Sequence, residues 1–297
     1  SLFLIPSRPA ARQVASTRYG LADGSGFLNS TLVPCPLEAG ILISGLLRAP
    51  LQLMMNIAMT LLTYYYCKGN LTYAFTKLDI FIIVLILAGG LFIGQFVSMA
   101  ISPALMRKYE TKKVYNLFSG LSAVAFALSF VVYLIAPTDL SKIGFVVIDG
   151  ILFFGTGMGF GGVNVCQSVM ISDCIDYEEY HHGYRPDGIF FSGQSFITKF
   201  SAGISSIISG YVFDAVGYTD ININKMNEAI ANGANFATDY TSYSKAMWFL
   251  ISIPPAIGML LAVIPTLKYE IDKKSHNKML EELVKRHKQN NQGDTNG

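Results

Sequence analysis

The amino-acid sequence predicts an all-α membrane protein with six transmembrane helices, on three observations. Of 297 residues, 52% are hydrophobic and only 14% are charged, with a mean hydropathy of +0.42. A soluble domain carries about 25% charged residues. The apolar residues are gathered into six blocks, about 41–66, 80–102, 116–136, 143–166, 188–213 and 246–266. Each qualifies or nearly qualifies against the roughly 20 residues needed to cross about 30 Å of hydrocarbon. The blocks lack period-2 alternation, so spanning strands are excluded and helices remain.

Residues 1–40 come first. The chain begins with Ser1, and "PSRPAARQVASTRYGLADGSG" holds no apolar core long enough for a signal peptide. A polar, poorly ordered leader, or a piece of something longer, is expected there. The blocks at 41–266 follow as a bundle, separated by turn-rich stretches such as "CKGN", "APTD" and "HHGYRPDG". Residues 214–245, rich in Asn, Asp, Thr and Ser, read as a long outer loop.

Lysine and arginine set the orientation. Arg107, Lys108, Lys112, Lys113, Arg185, the leader arginines and the tail beyond 267 fall on one side. The other side holds only Lys68, Lys77, Lys142, Lys225 and Lys245. Both termini are therefore expected in the cytoplasm, with the protein in the cell membrane. In the basic tail 267–297, Ile271, Met279, Leu280, Leu283 and Val284 stand near helical spacing, which predicts a surface helix over part of it. A net charge of +2 is too small to point to nucleic acid. The four cysteines show no metal-ligand spacing.

Lys199 is the most informative residue. It is the twelfth of its block, about 16 Å from the start at 1.5 Å per residue, and such a charge costs about 2.5–3.5 kcal/mol at the bilayer centre. Ser195 shares its helix face, and Gln194, Thr198 and Ser201 broaden the polar strip. Gly203 and Gly210 on the same helix let neighbours approach closely. The strip is expected to face a cavity or a partner helix. No second charge is expected at that depth, because Asp149 falls nearer the outer end of its span and Arg48 nearer the inner end of its own.

"GMGFGG" (157–162) matches GxGxxG in form but sits inside a continuous apolar span, with no strand before it. Gly155, Gly157, Gly159, Gly161 and Gly162 are better read as permitting close packing or bending of a helix. "ISDCIDYEEYHHGYRPDG" (171–188) places Asp173 and Asp176 on one helix face, near Arg185. One reading is a magnesium–diphosphate site of the DxxD kind, as in membrane prenyltransferases, but the second Asp-rich motif is missing. A metal at His181 and His182 is weaker, because adjacent histidines on a helix point apart. The preferred reading is a charged latch, in which these acids pair with basic groups when the cytoplasmic side is shut.

Taken in order, the Gly-rich span, "SDCIDYEEY", the loop with Arg185 and "DG", and "SGQSFITKFSAGISSIISGYVFDAVGY" are a recognisable pattern. It resembles the glycoside-pentoside-hexuronide:cation symporters, a melibiose permease-like family within the major facilitator superfamily. The likeness covers about 41–290 and corresponds to the second six helices of a twelve-helix fold. It implies that Lys199 falls on the family's sugar-site lysine, with Gln194 and Ser195 beside the cavity. It implies that Asp173, Asp176 and Arg185 belong to the network closing the cytoplasmic side. The resemblance further implies no cofactor and no enzymatic activity. The coupling Na⁺ or H⁺ would bind mainly in a missing N-terminal six-helix half, which with the sugar or glycoside substrate and the lipid bilayer makes up the expected partners. The alternatives are the magnesium-dependent transferase at Asp173 and Asp176, and a non-transporting six-helix membrane partner.

Overall fold

The computed structural model describes residues 36–183, 185, 187–267 and 273–294. The leader 1–35 and Ile271 of the tail lie outside them. Among the described residues there is no strand, and six helical stretches are long and apolar enough to cross a membrane: Ala39–Tyr66, Leu78–Lys108, Thr111–Ile135, Ile143–His181, Asp187–Ala215 and Thr241–Thr266.

The first stretch is broken. Helix α1 (Pro36–Leu47) and α2 (Leu51–Leu61) meet at Arg48-Ala49-Pro50, where proline has no N–H to offer the helical ladder. A π-turn, Leu62–Tyr66, ends the segment and buries both Tyr65 and Tyr66. The connection to the next span turns at Lys68 and Gly69, both at positive φ. Asn70 then caps a 3-10 turn by accepting from the Thr72 N–H at 2.9 Å.

Helices α3 (Leu78–Lys108), α4 (Thr111–Ile135) and α5 (Ile143–His182) follow. With 40 residues, α5 is about 60 Å long at 1.5 Å per residue, so it projects beyond the hydrocarbon. It stops at Gly183 (φ 70°), whose N–H bonds back to Glu179 at 2.9 Å. Helix α6 is Asp187–Ala215. The stretch read as an outer loop instead contains α7 (Asp220–Ala231) and the short α8 (Phe236–Asp239). Ile223, Met226 and Ile230 supply a helical apolar stripe there that the surrounding asparagines obscure. Aromatic rings fasten this cap: Tyr64 stacks on Phe236 at 5.6 Å and meets Tyr218 edge-on at 6.5 Å. Helix α9 (Thr241–Leu261), the short α10 (Val263–Thr266) and the tail helix α11 (Lys273–Asp294) complete the chain.

Helix α5 is the spine. On one side it meets α3 so closely that a Cβ at Gly157 would stand 2.0 Å from the Leu91 carbonyl oxygen, and one at Gly161 2.4 Å from that of Gln95. On the other side it meets α4, where a Cβ at Gly159 would be 2.0 Å from Ser122 Cβ and one at Gly162 2.4 Å from the Phe118 ring. Gly155 is looser, 3.1 Å from Ala125 Cβ. Helix α9 packs between α2 and α4, with Trp248 and Met247 fully buried. Ser44 ties α1 across the bundle, 2.6 Å from the Tyr115 hydroxyl and donating to the Ala262 carbonyl at 2.7 Å. Helix α6 lies against α1 and α2. Only 17% of its apolar window and 11% of that of α3 is buried, against 56% for the last span, so α3 and α6 present the open faces.

The seam yields a paired test. Gly157→Ala pushes a methyl into the backbone of α3, which cannot rotate away, and should cost about 1–3 kcal/mol. Gly203→Ala has nothing within 4 Å to meet. Thermal unfolding in detergent should show a lowered midpoint for the first variant and an unchanged one for the second.

Candidate transport site and charge cluster

The environment of Lys199 follows from which side of α6 is packed. The Ile197 side chain comes within 3.4 Å of where a Gly45 Cβ would be, the Ser205 hydroxyl donates to the Ala49 carbonyl at 2.7 Å, and Ser201 is buried. At about 100° per residue these three share one side. Lys199 and Ser195 fall on the opposite side and are exposed, while Gln194, three residues before Ile197, falls on the packed side and is half-buried. Phe196, Phe200 and Ile207 form a third, apolar and exposed face. The Thr198 hydroxyl donates to the Gln194 carbonyl at 2.9 Å. Lys199 makes no hydrogen bond or ion pair with any described residue.

A second cation lies in the same layer, against the sequence expectation of none. Arg48 sits at the α1–α2 break, and its guanidinium donates to Asn164 Oδ1 at 3.2 Å and to Gln167 Oε1, both on α5. Gly45 makes room: a Cβ there would be 2.8 Å from Gln167 Nε2. Helices α1 and α6 run side by side in one direction, Gly45 level with Ile197 and Ala49 with Ser205. Arg48 and Lys199 each fall between those two levels. Counting residues along an unbroken helix had set Arg48 nearer the inner end of its span; the pairing of α1 with α6 corrects its height. The Arg48 Nε is buried and unpartnered among the described residues, and both of its acceptors are neutral amides.

Below the break, Asn56 adds an exposed amide to α2, with its Nδ2 3.5 Å from the Ser206 hydroxyl of α6. Gln52 lies one turn before it. Sequence reasoning passed over Gln52, Asn56, Asn164 and Gln167. The signal was present, since Arg48, Gln52 and Asn56 recur every four residues through an otherwise apolar block. A small cleft near Gln95, Thr156 and Phe160 lies between α2, α3, α4 and α5, away from Lys199.

At the far end of α5 the structure brings Asp173, Asp176 and Arg185 together and adds three groups. Arg185 Nη1 lies 2.7 Å from Glu179 Oε2 and 2.9 Å from Asp176 Oδ1, while its Nε bonds Asp187 at 3.1 Å. The hydrogen bond to Glu179, followed by that to Asp176, holds the guanidinium above its ordinary range. His276 of α11 places Nε2 3.3 Å from Asp176 Oδ2 and 3.6 Å from Asp173 Oδ1. The same helix seats Leu283 in a buried position and Arg286 against the Tyr180 ring at 4.8 Å. The two Asp176 oxygens thus face Arg185 and His276, and no group of three or more His, Cys, Asp or Glu among the described residues is arranged to hold a metal. His181 packs its ring on Tyr177 at 4.3 Å.

Together these features define a multi-pass membrane protein with a polar layer at mid-depth and a charged clasp at one end. Residues 41–273 match the family model described as MFS/sugar transport protein, and the chain belongs to that family of the major facilitator superfamily. Among curated relatives it is 33% identical over 135 residues to an isoprimeverose transporter of Lactiplantibacillus pentosus, covering 45% of this chain and 25% of that protein. It is 24% identical over 196 residues to a putative sulfoquinovose importer of Salmonella typhimurium, covering 66% and 36%. A lactose permease of Lactobacillus helveticus is 28% identical over 115 residues, covering 38% and 16%. The chain therefore spans about a third or less of the length of these relatives. All three bear transporter names rather than those of enzymes.

The clasp can be tested directly. Arg185→Ala removes the guanidinium that bonds the buried Glu179 carboxylate at 2.7 Å. Because the guanidinium is half in water, the loss should be on the order of 1 kcal/mol rather than that of a fully buried pair. Limited proteolysis at the 182–187 connection should accelerate in Arg185→Ala and fall only part of the way back in Arg185→Lys, whose ammonium cannot fork between the acids.

Proposed function

We propose that this chain forms the C-terminal six-helix half of a sugar–cation symporter working by alternating access. The observation that carries this reading is the pair of mid-membrane cations, Arg48 and Lys199, which meet no carboxylate among the described residues. An intramembrane charge faces a water-filled cavity or a partner rather than lipid. Lys199 lies on the open side of α6, where an opposing half would supply both the carboxylate and the other wall of the cavity.

In that cavity the Lys199 ammonium donates to sugar hydroxyls with Ser195 on its face, and Gln194 can join them only by reaching round from the packed side of α6. An amide offers both donor and acceptor, as a hydroxyl does, so Asn56 and Gln52 suit the same chemistry. The sugar is a glycoside or pentoside, in keeping with relatives named for isoprimeverose and lactose. The coupling Na⁺ or H⁺ binds mainly in the opposing half. The two halves rock about the midplane site. Asp173, Asp176 and Arg185 act as the cytoplasmic latch, exchanging partners within this chain for basic groups of the opposing half as that side closes. Both termini lie in the cytoplasm of a cell-membrane protein, following the distribution of lysine and arginine.

The test is uptake of labelled glycosides and pentoses into cells expressing the whole reading frame that contains this chain. Lys199→Ala should lower cation-dependent uptake by about tenfold or more, the equivalent of roughly 1.4 kcal/mol, with unchanged amounts in the membrane. Full uptake in the variant would reduce Lys199 to a structural charge and overturn the reading.

A further inference from the structure

One ionisable group takes no part in the site or the clasp. Asp149 is fully buried in the outer part of α5, about 9 Å from the start of the helix at 1.5 Å per residue. Neither of its carboxyl oxygens accepts a hydrogen bond from any described residue. Phe153, one turn further on the same face, stacks on Trp248 of α9 at 6.4 Å. Trp248 stacks in turn on Tyr133 of α4 at 5.5 Å and meets Tyr65 edge-on at 6.3 Å. Tyr65 and Tyr66, delivered by the π-turn, are buried beside this ring cluster. The Tyr66 hydroxyl and the Trp248 indole N–H are buried and unpartnered as well.

The charged groups around this pocket offer no countercharge. Lys142 is paired with Asp139 at 2.9 Å, and Lys245 of α9 is exposed. Helix α3 approaches the neighbouring Gly150 with Ile86 and Gly90. Asp79, the acid in its first turn, is exposed. A carboxylate in such surroundings is strongly disfavoured unless it carries a proton or holds a cation.

We propose that Asp149 is a proton-binding site in the outer part of this half, separate from the mid-membrane sugar layer and the cytoplasmic clasp. The bound proton forms an O–H bond on the carboxyl and leaves to water at the outer face when the aromatic cover opens, giving the carboxylate and a hydronium ion. Tyr65 marks the way out: its hydroxyl donates to the Pro137 carbonyl at 2.6 Å, joining the pocket to the outer connection.

Infrared spectroscopy of the purified protein in nanodiscs, with no sugar present, reads the group itself and is independent of whether transport follows the scheme above. Wild type at neutral pH should show a protonated carboxylic C=O band that shifts down in D₂O, and the isosteric Asp149→Asn should lack it. A wild-type spectrum without that band overturns the proposal, as does a band that persists in Asp149→Asn. A band that never shifts in D₂O overturns it too, by making Asp149 a sealed structural acid. A sodium-induced change that Asp149→Asn lacks would assign the pocket to an alkali cation instead of a proton.

Discussion

The structure depends on the contact of backbone with backbone between α3 and α5. Inside a bilayer no hydrophobic effect pulls helices together, so close van der Waals packing must do so. The glycines along both helices remove the Cβ atoms that would hold the chains apart, at Gly90, Gly94, Gly157 and Gly161. A second set on α5 receives Ser122 and Phe118 of α4. One helix is thereby locked on two sides. Everything polar that α5 carries is held at a fixed height by that grip.

What α5 carries is a series of polar layers along about 60 Å of helix. Asp149 lies near its start, Asn164 and Gln167 in the middle, and Asp173, Asp176 and Glu179 towards its end. Each layer is met differently. The first acid is buried with no hydrogen-bond partner among the described residues, the middle amides accept from Arg48, and the last acids share Arg185 and His276. The middle layer is where other helices are least regular: the first span breaks at Pro50, and Gly258 lets α9 reach the break, with a Cβ there only 2.8 Å from the Leu47 carbonyl oxygen. A break at mid-depth is tolerated because it is covered by protein rather than lipid.

The six-span, all-helical class was legible in the sequence because burying a backbone in hydrocarbon requires long apolar runs. Local departures from that rule were less legible. Pro50 lies inside an apolar block, and only the carbonyls its ring cannot serve reveal the break. Ile223, Met226 and Ile230 were read as loop because asparagine dominates the composition around them. At the mid-membrane layer, Lys199 stood out through its isolation in an uncharged run. Arg48 did not, because its height depends on how α1 pairs with α6, a relation between distant segments that residue counting cannot supply. His276 is hidden for the same reason. His276 reaches Asp173 and Asp176 only through the seat that Leu283 and Arg286 make for the tail.

The three faces of α6 say most about what the bundle lacks. One face is spent on α1 and α2. The apolar face of Phe196, Phe200 and Ile207 is suited to lipid or to a greasy neighbour. The third, with Ser195, Lys199 and Gly203, suits neither lipid nor isolation: a lysine there cannot be solvated by acyl chains, and its small neighbours leave room for another helix or for water. No described helix of this chain fills that room. The charge is tolerable only where a second wall encloses an aqueous space, and the same wall would cover α3, the other sparsely buried helix. In the symporter reading proposed above, the open faces of α3 and α6 and the cations Arg48 and Lys199 are two consequences of one condition: the polar layer is half of a site, and its complement approaches from the side that α3 and α6 leave bare.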